Sequence, residues 1–305
     1  MLVFATSDKG GTGRSVTSSN IIYRRALGGH DVAYLDFDFG SPTAGAIFGL
    51  RASQGTRTGF GMHRYLRGFD GVDEPQAIDI WGETERQGLR NRPDGSGNLV
   101  LFPGDEGGGE FASNKDVVAR CVRLFTRLEE EFSMVLVDLS AGRSYATHIV
   151  LQALADRRLS KVMSRWLVFH RWTRQHVLAA SNLVYGKDGL LESGEQHKLG
   201  ADQFLQMIRF VRTAVVDPRS TDLSALRPTQ LAWLTDTNKE LQKLASELRL
   251  GRTSTLGSVP LDPVLQWREQ IITDTDTITR QIANPATVDS FVNLGKKLAD
   301  DWSEL

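Results

Sequence analysis

The residues with the clearest chemistry sit near the start of the chain, in Lys9-Gly10-Gly11-Thr12-Gly13-Arg14-Ser15. Three glycines in four positions let the backbone fold tightly round an anion. Their N–H groups, with the first turn of a following helix, make a positive nest for phosphate. Ser15 supplies a hydroxyl where a phosphate loop places a magnesium ligand. The context fits: a short apolar run, Leu2 to Thr6, precedes the loop, and a helix-forming run, Ser15 to Leu27, follows it. Two acids, Asp36 and Asp38, close the next apolar run. Carboxylates there can orient a water or hold magnesium through water. A third, Asp138, ends the wholly apolar run Met134 to Val137, the pattern of a metal-site acid delivered by a buried strand.

These residues meet only if the elements that carry them form one sheet. Strands are expected at 2–6, 31–38, 98–102, 134–138, 165–169, 210–216 and within 253–260. Helices are expected over 15–27, 44–50, 62–67, 114–131, 145–155, 174–184, 229–250, 263–271 and 285–302. Alternation of this kind predicts an α/β fold: a single doubly wound, mostly parallel sheet with helices on both faces. Ligands in such sheets bind at the C-terminal ends of the strands. The spacing gives one domain over 1–305, with polar surface excursions at 51–97 and 186–200.

In this order the motifs resemble the ParA/MinD ATPases with the deviant Walker A loop KGGxGK[ST]. LDFDFGSPT (35–43) is similar to their switch I and VDLSAG (137–142) to their switch II. NLVLFPG (98–104) and GSVPLDPVLQWREQI (257–271) resemble further family segments. The resemblance implies ATP and Mg2+ as cofactors and a homodimer in the ATP state. Lys9 is then catalytic, reaching the partner's phosphates, and Asp38 positions the attacking water. The nucleotide set runs through Lys9, Gly10, Gly11, Thr12, Gly13, Arg14, Ser15 and Val16, with Pro260 near the base. Ser15, Asp36 and Asp138 form the metal set. Two positions depart from the family pattern. Arg14 stands where the loop lysine is expected; a planar fork is not interchangeable with a compact ammonium. Nucleotide binding is therefore expected to survive more readily than rapid hydrolysis, leaving a weak magnesium-dependent ATPase. The strand ending at Asp217 lacks the asparagine that relatives use to read adenine, so Asp217 is the expected acceptor.

Composition sets outer limits. Of 305 residues, 36 are Lys or Arg and 37 Asp or Glu, so no global charge draws the chain to nucleic acid or membrane. One cysteine, Cys121, excludes a disulfide framework and the paired cluster ligands of an iron–sulfur reductase relative. Its place in an apolar-periodic run marks it as core. Cysteine scarcity, with no signal-like segment, predicts a cytoplasmic location. Arg157, Arg158, Lys161, Arg165, Arg171 and Arg174 form a basic run with Trp166 and Trp172 interleaved. Such a run suits nonspecific DNA, or equally a solvated face whose arginine stems cover apolar surface. Phe291, Leu294, Leu298, Trp302 and Leu305 share one side of a C-terminal helix. That helix ends in acids, which argues for core packing over a membrane surface. The leading expectation is an ATP-dependent dimerising switch that positions or segregates DNA or a large assembly and answers to a protein partner. A nucleotide-binding scaffold without turnover and a small-molecule ligase built on the same loop are the alternatives.

Overall fold

The computed structural model of the chain describes residues 1–220 and 223–302. Its elements are β1 (Leu2–Thr6), α1 (Arg14–Leu27), β2 (Val32–Phe37), α2 (Ala44–Ile47), α3 (Met62–Arg67), β3 (Ile78–Asp79), α4 (Ile80–Glu83), β4 (Leu99–Phe102), α5 (Lys115–Glu131) and β5 (Met134–Leu139). There follow α6 (Tyr145–Leu154), β6 (Ser164–Arg171), α7 (Arg174–Tyr185), α8 (Leu190–Gln196), α9 (Ala201–Met207), β7 (Ile208–Val215), α10 (Pro228–Glu247), β8 (Thr255–Pro260), α11 (Pro263–Trp267) and α12 (Pro285–Ala299).

The strands form one eight-stranded sheet in the order β3-β4-β2-β5-β1-β6-β7-β8. Every pairing is parallel except β3 with β4. Strand residues alternate between two apolar layers, as the period of two requires. Leu2, Phe4, Leu35, Phe37, Val135 and Val137 enter the layer covered by α3, α5, α6 and α7. Val3, Ala5, Val32, Tyr34, Met134 and Leu136 enter the layer covered by α1, α2 and α12. Both faces are buried, which is why the central strands read as unbroken apolar runs. Cys121 is fully buried in the first layer.

The structure departs from the sequence expectation where short elements carry little pattern. The stretch 51–97 is no loose excursion. It packs Met62, Tyr65, Leu66, Ile80, Trp81 and Leu89 into the two layers and supplies the antiparallel edge strand. The stretch 186–200 holds α8, with Leu190 buried. The helix expected over 263–271 stops at Trp267, and the chain beyond runs to Ile271 and Ile272, which are fully buried. The last helix stops at Ala299 rather than Trp302, although Phe291, Leu294, Leu298 and Trp302 are buried as expected. Leu305 lies outside the described residues.

One buried group makes the fold sensitive to acid. His170 on β6 packs against Trp172 and Phe210, and its Nε2 has no hydrogen-bond partner among the described residues. Burial pushes its imidazole from 6.5 down to about 4. Between those two values the unfolded chain binds a proton that the folded chain refuses, so stability falls as pH drops through that window. At about 1.4 kcal/mol per unit, the loss reaches roughly 3 kcal/mol by pH 4. Urea unfolding of the wild type at pH 7 and pH 4.5, set against His170→Gln, checks it. The variant is expected to lose much of that pH dependence.

Candidate functional site

β1 is the fourth strand from one edge, and β5 lies between it and β2. The loop after β1 and the ends of β2 and β5 therefore open at one place on the C-terminal edge of the sheet. Gly11 and Gly13 take the left-handed conformation, at φ 70° and 75°. A side chain there would strain the turn. Gly13 is the N-cap of α1, so the free N–H groups of the first turn face the cleft, which has a volume of about 640 Å³. Gly10 through Thr17 form one wall. Asp38, Thr43, Ala141, Arg171, Thr213 and Pro260 are among the other residues that line it. Thr213 holds the loop in place: its hydroxyl donates to the Thr12 carbonyl at 2.5 Å. Next to it, Ala214 lies at φ 50°, where the register between β7 and β8 breaks.

Strand register brings the acids together. Asp36 on β2 is paired with Asp138 on β5, and both belong to the α1 side of the sheet. Arg14 opens α1 directly above them. Its Nε donates to Asp138 Oδ1 at 2.5 Å, and its Nη2 donates to Asp38 Oδ2 at 3.0 Å. The Arg14 side chain is 7% exposed and that of Asp138 2%, so this ion pair is screened little by solvent. Burial acts to lower the guanidinium's pKa, but the charges of Asp138 and Asp38 outweigh it and raise the net value. The other oxygen of Asp138 accepts from the Tyr34 hydroxyl at 2.6 Å. Burial, reinforced by Asp138, holds the Tyr34 phenol well above its ordinary range, so it remains a donor.

Asp36 does different work. Its oxygens accept from the backbone N–H groups of Asp38 at 3.2 Å and Ala44 at 3.1 Å. It thereby shapes the turn from β2 into α2. Burial and the neighbouring Asp138 carboxylate raise its pKa well above the usual carboxylate range. Two like charges side by side on adjacent strands cannot both be held cheaply in a dry site.

The expected site residues are thus partly assembled and partly redistributed. Gly10, Gly11, Thr12, Gly13, Arg14, Ser15, Val16, Asp38 and Pro260 line the cleft. Asp138 lies beneath Arg14. Lys9 is partly exposed and does not itself line the cleft, although Ser7 and Gly10 on either side of it do. Asp217 does not line the cleft. It is on the exposed turn past β7, where its carboxylate accepts from the backbone and side chain of Arg219. Thr213 and Ala214 occupy the wall where Asp217 was expected. The basic run does not form one surface either. Arg157, Arg158 and Lys161 precede β6, while Arg171 and Arg174 follow its start by a full strand, roughly 23 Å at about 3.3 Å per residue. Arg171 lines the cleft instead. Arg165 lies over the Trp302 ring at 4.2 Å, and Arg158 is paired with Asp156. Trp166 and Trp172 are buried.

Sequence reasoning missed Tyr34, Thr213 and Asp262. Strand parity carried a signal for Tyr34, two residues before Asp36 and hence on the same face. Asp262 is 1% exposed and accepts from Val264 N, Asn284 N and the Thr287 hydroxyl at 2.9–3.0 Å. It ties α11 and α12 to the cleft wall, a role no local pattern announces.

No family model matches the chain, and no curated protein matches it by sequence. Solved structures do match in three dimensions. The MinC:MinD cell division protein complex of Aquifex aeolicus aligns at TM-score 0.61 and 15% identity, over 97% of this chain and 95% of that one. A plasmid partition protein of Borrelia burgdorferi bound to AMPPNP aligns at 0.59 and 13%, over 97% of both chains. The septum site-determining protein MinD of Pyrococcus horikoshii, complexed with Mg-ADP, aligns at 0.54 and 15%, over 98% of this chain and 97% of that one. The chain has the ParA/MinD fold. Among the described residues, no helix is long and apolar enough to cross a membrane.

Proposed function

We propose, on the fold this chain shares with ParA and MinD ATPases, that it is a nucleotide-operated dimerising switch with slow hydrolysis. The observation that carries the reading is the glycine loop between β1 and α1. It turns the N–H groups of a 14-residue helix into a cleft of nucleotide size, and Lys9 lies between the cleft-lining residues Ser7 and Gly10. Such a nest favours phosphate through its N–H donors and the helix dipole together. Lys9 then reaches the phosphates bound by a second copy. The closed pair is the form that engages a protein partner, and the cargo is DNA or a large assembly.

Slow turnover follows from Arg14. Its guanidinium is bonded to Asp38, the carboxylate that a fast enzyme of this kind would need free to orient water. The same contact supports a second reading, a nucleotide-binding scaffold with no turnover. Phosphate release in the presence of a stimulating partner separates the two.

The test is oligomeric state. Sedimentation velocity with a slowly hydrolysed ATP analogue is expected to show the wild type as a dimer and Lys9→Ala as a monomer. Lys9→Ala is expected to retain analogue binding. A wild type that stays monomeric when saturated, or a Lys9→Ala protein that dimerises equally well, would remove the switch.

A further inference from the structure

The resemblance to ParA/MinD proteins implies magnesium held by Ser15, Asp36 and Asp138. The donors in this chain are arranged otherwise. Asp138 presents one oxygen to Arg14 Nε at 2.5 Å and the other to Tyr34 at 2.6 Å. Asp36 is turned into the backbone of the β2–α2 connection, where Ala44 N and Asp38 N donate to it. Asp38 receives Arg14 Nη2 at 3.0 Å. Ser15 Oγ lies 3.4 Å from the same Nη2. Each of the three expected metal donors therefore has a donor group against it, and Asp138, Ser15 and the neighbouring Asp38 all touch one guanidinium. Among the described residues, no group of three or more His, Cys, Asp or Glu is placed to hold a metal ion.

A cation is nevertheless present at this point of the fold, and it is covalently attached. The fork of Arg14 spans the metal-site acid and the switch I acid with two directed N–H bonds, a geometry that a lysine ammonium cannot reproduce. A second cation at Ser15 would face the guanidinium at close range in a site with little solvent. We propose that Arg14 stands in for the divalent ion, so that this chain binds nucleotide without protein-coordinated magnesium. Arg14 links the glycine loop to the turn after β2, a connection that the metal would otherwise provide. Phosphate charge is met by the loop N–H groups, by the N-terminus of α1 and by Arg171 on the cleft wall. Replacing the planar fork with a shorter-reaching ammonium frees at least one carboxylate and reopens the metal position.

This inference rests on the nucleotide reading, and one titration tells the two apart. The probe is a fluorescent ATP analogue, titrated into the full chain in EDTA and again in excess magnesium. The wild type is expected to bind with dissociation constants that agree within about threefold. Arg14→Lys is expected to bind more tightly in magnesium than in EDTA, by about tenfold or more. Wild-type binding that weakens tenfold or more in EDTA overturns the inference and leaves the nucleotide reading intact. No binding in either condition overturns both. The wild-type pair of titrations decides the matter even if Arg14→Lys does not fold.

Discussion

Arg14→Ala is expected to lower folding stability by about 3–5 kcal/mol, the usual cost of removing one partner from a buried ion pair. The loss comes from what remains. Asp138, 2% exposed, keeps only the Tyr34 hydroxyl as a donor, and its charge then sits beside Asp36 in the paired register. Urea unfolding of the single variants and of the pair Arg14→Met with Asp138→Leu measures this. The paired variant removes both charges and fills the space with apolar atoms, so it is expected to recover much of the loss. If Arg14→Ala costs less than about 1 kcal/mol, the ion pair is not a structural element of the apo fold.

Asp262→Ala is expected to be nearly as damaging, at about 3 kcal/mol. Its carboxylate satisfies three donors from two separate helix starts, and hydrogen bonds to a buried charge contribute about 1.5–3 kcal/mol each. Two of the three donors are backbone N–H groups at the beginnings of α11 and α12, where a cap alone is worth about 1 kcal/mol. The effect should not stop at stability. Asp262 and Pro260 line the cleft, and α12 packs against α1 in the second apolar layer. Weaker ATP-analogue affinity in Asp262→Ala, measured where the protein is still folded, would show that this carboxylate shapes the base-side wall. Unchanged affinity would confine it to holding the helices together.

What could be read from the sequence was what rests on period and on local turn chemistry. The buried strands announced themselves because parallel strands covered on both faces have no polar positions to interrupt them. The glycine loop was legible because glycine is the residue that most readily takes the left-handed backbone found at positions 11 and 13. The stretch 51–97 was opaque because its elements are only two to six residues long, and their apolar residues are set by partners far along the chain. Asp217 misled because a strand end reads the same whether its side chain faces the cleft or the outer turn. The basic run 157–174 misled for a related reason. A strand inside it carries the charges to opposite ends of the sheet. Arg14 stood out in the sequence as a departure, but its partners did not. A guanidinium one residue after a glycine turn could aim at phosphate or back at the strand ends. Only the adjacency of β2 and β5 puts Asp138, on β5, and Asp38, just past β2, within its reach.

The cleft between the glycine loop and the β8 end is expected to hold a nucleoside triphosphate. Isothermal titration of ATP into the purified chain tests it most directly, with Gly13→Val as the control in which the left-handed turn cannot form. Saturable one-to-one binding is expected of the wild type and none of the variant, provided circular dichroism shows that the variant is folded. Absence of saturable wild-type binding at millimolar ATP, with and without magnesium, would contradict it.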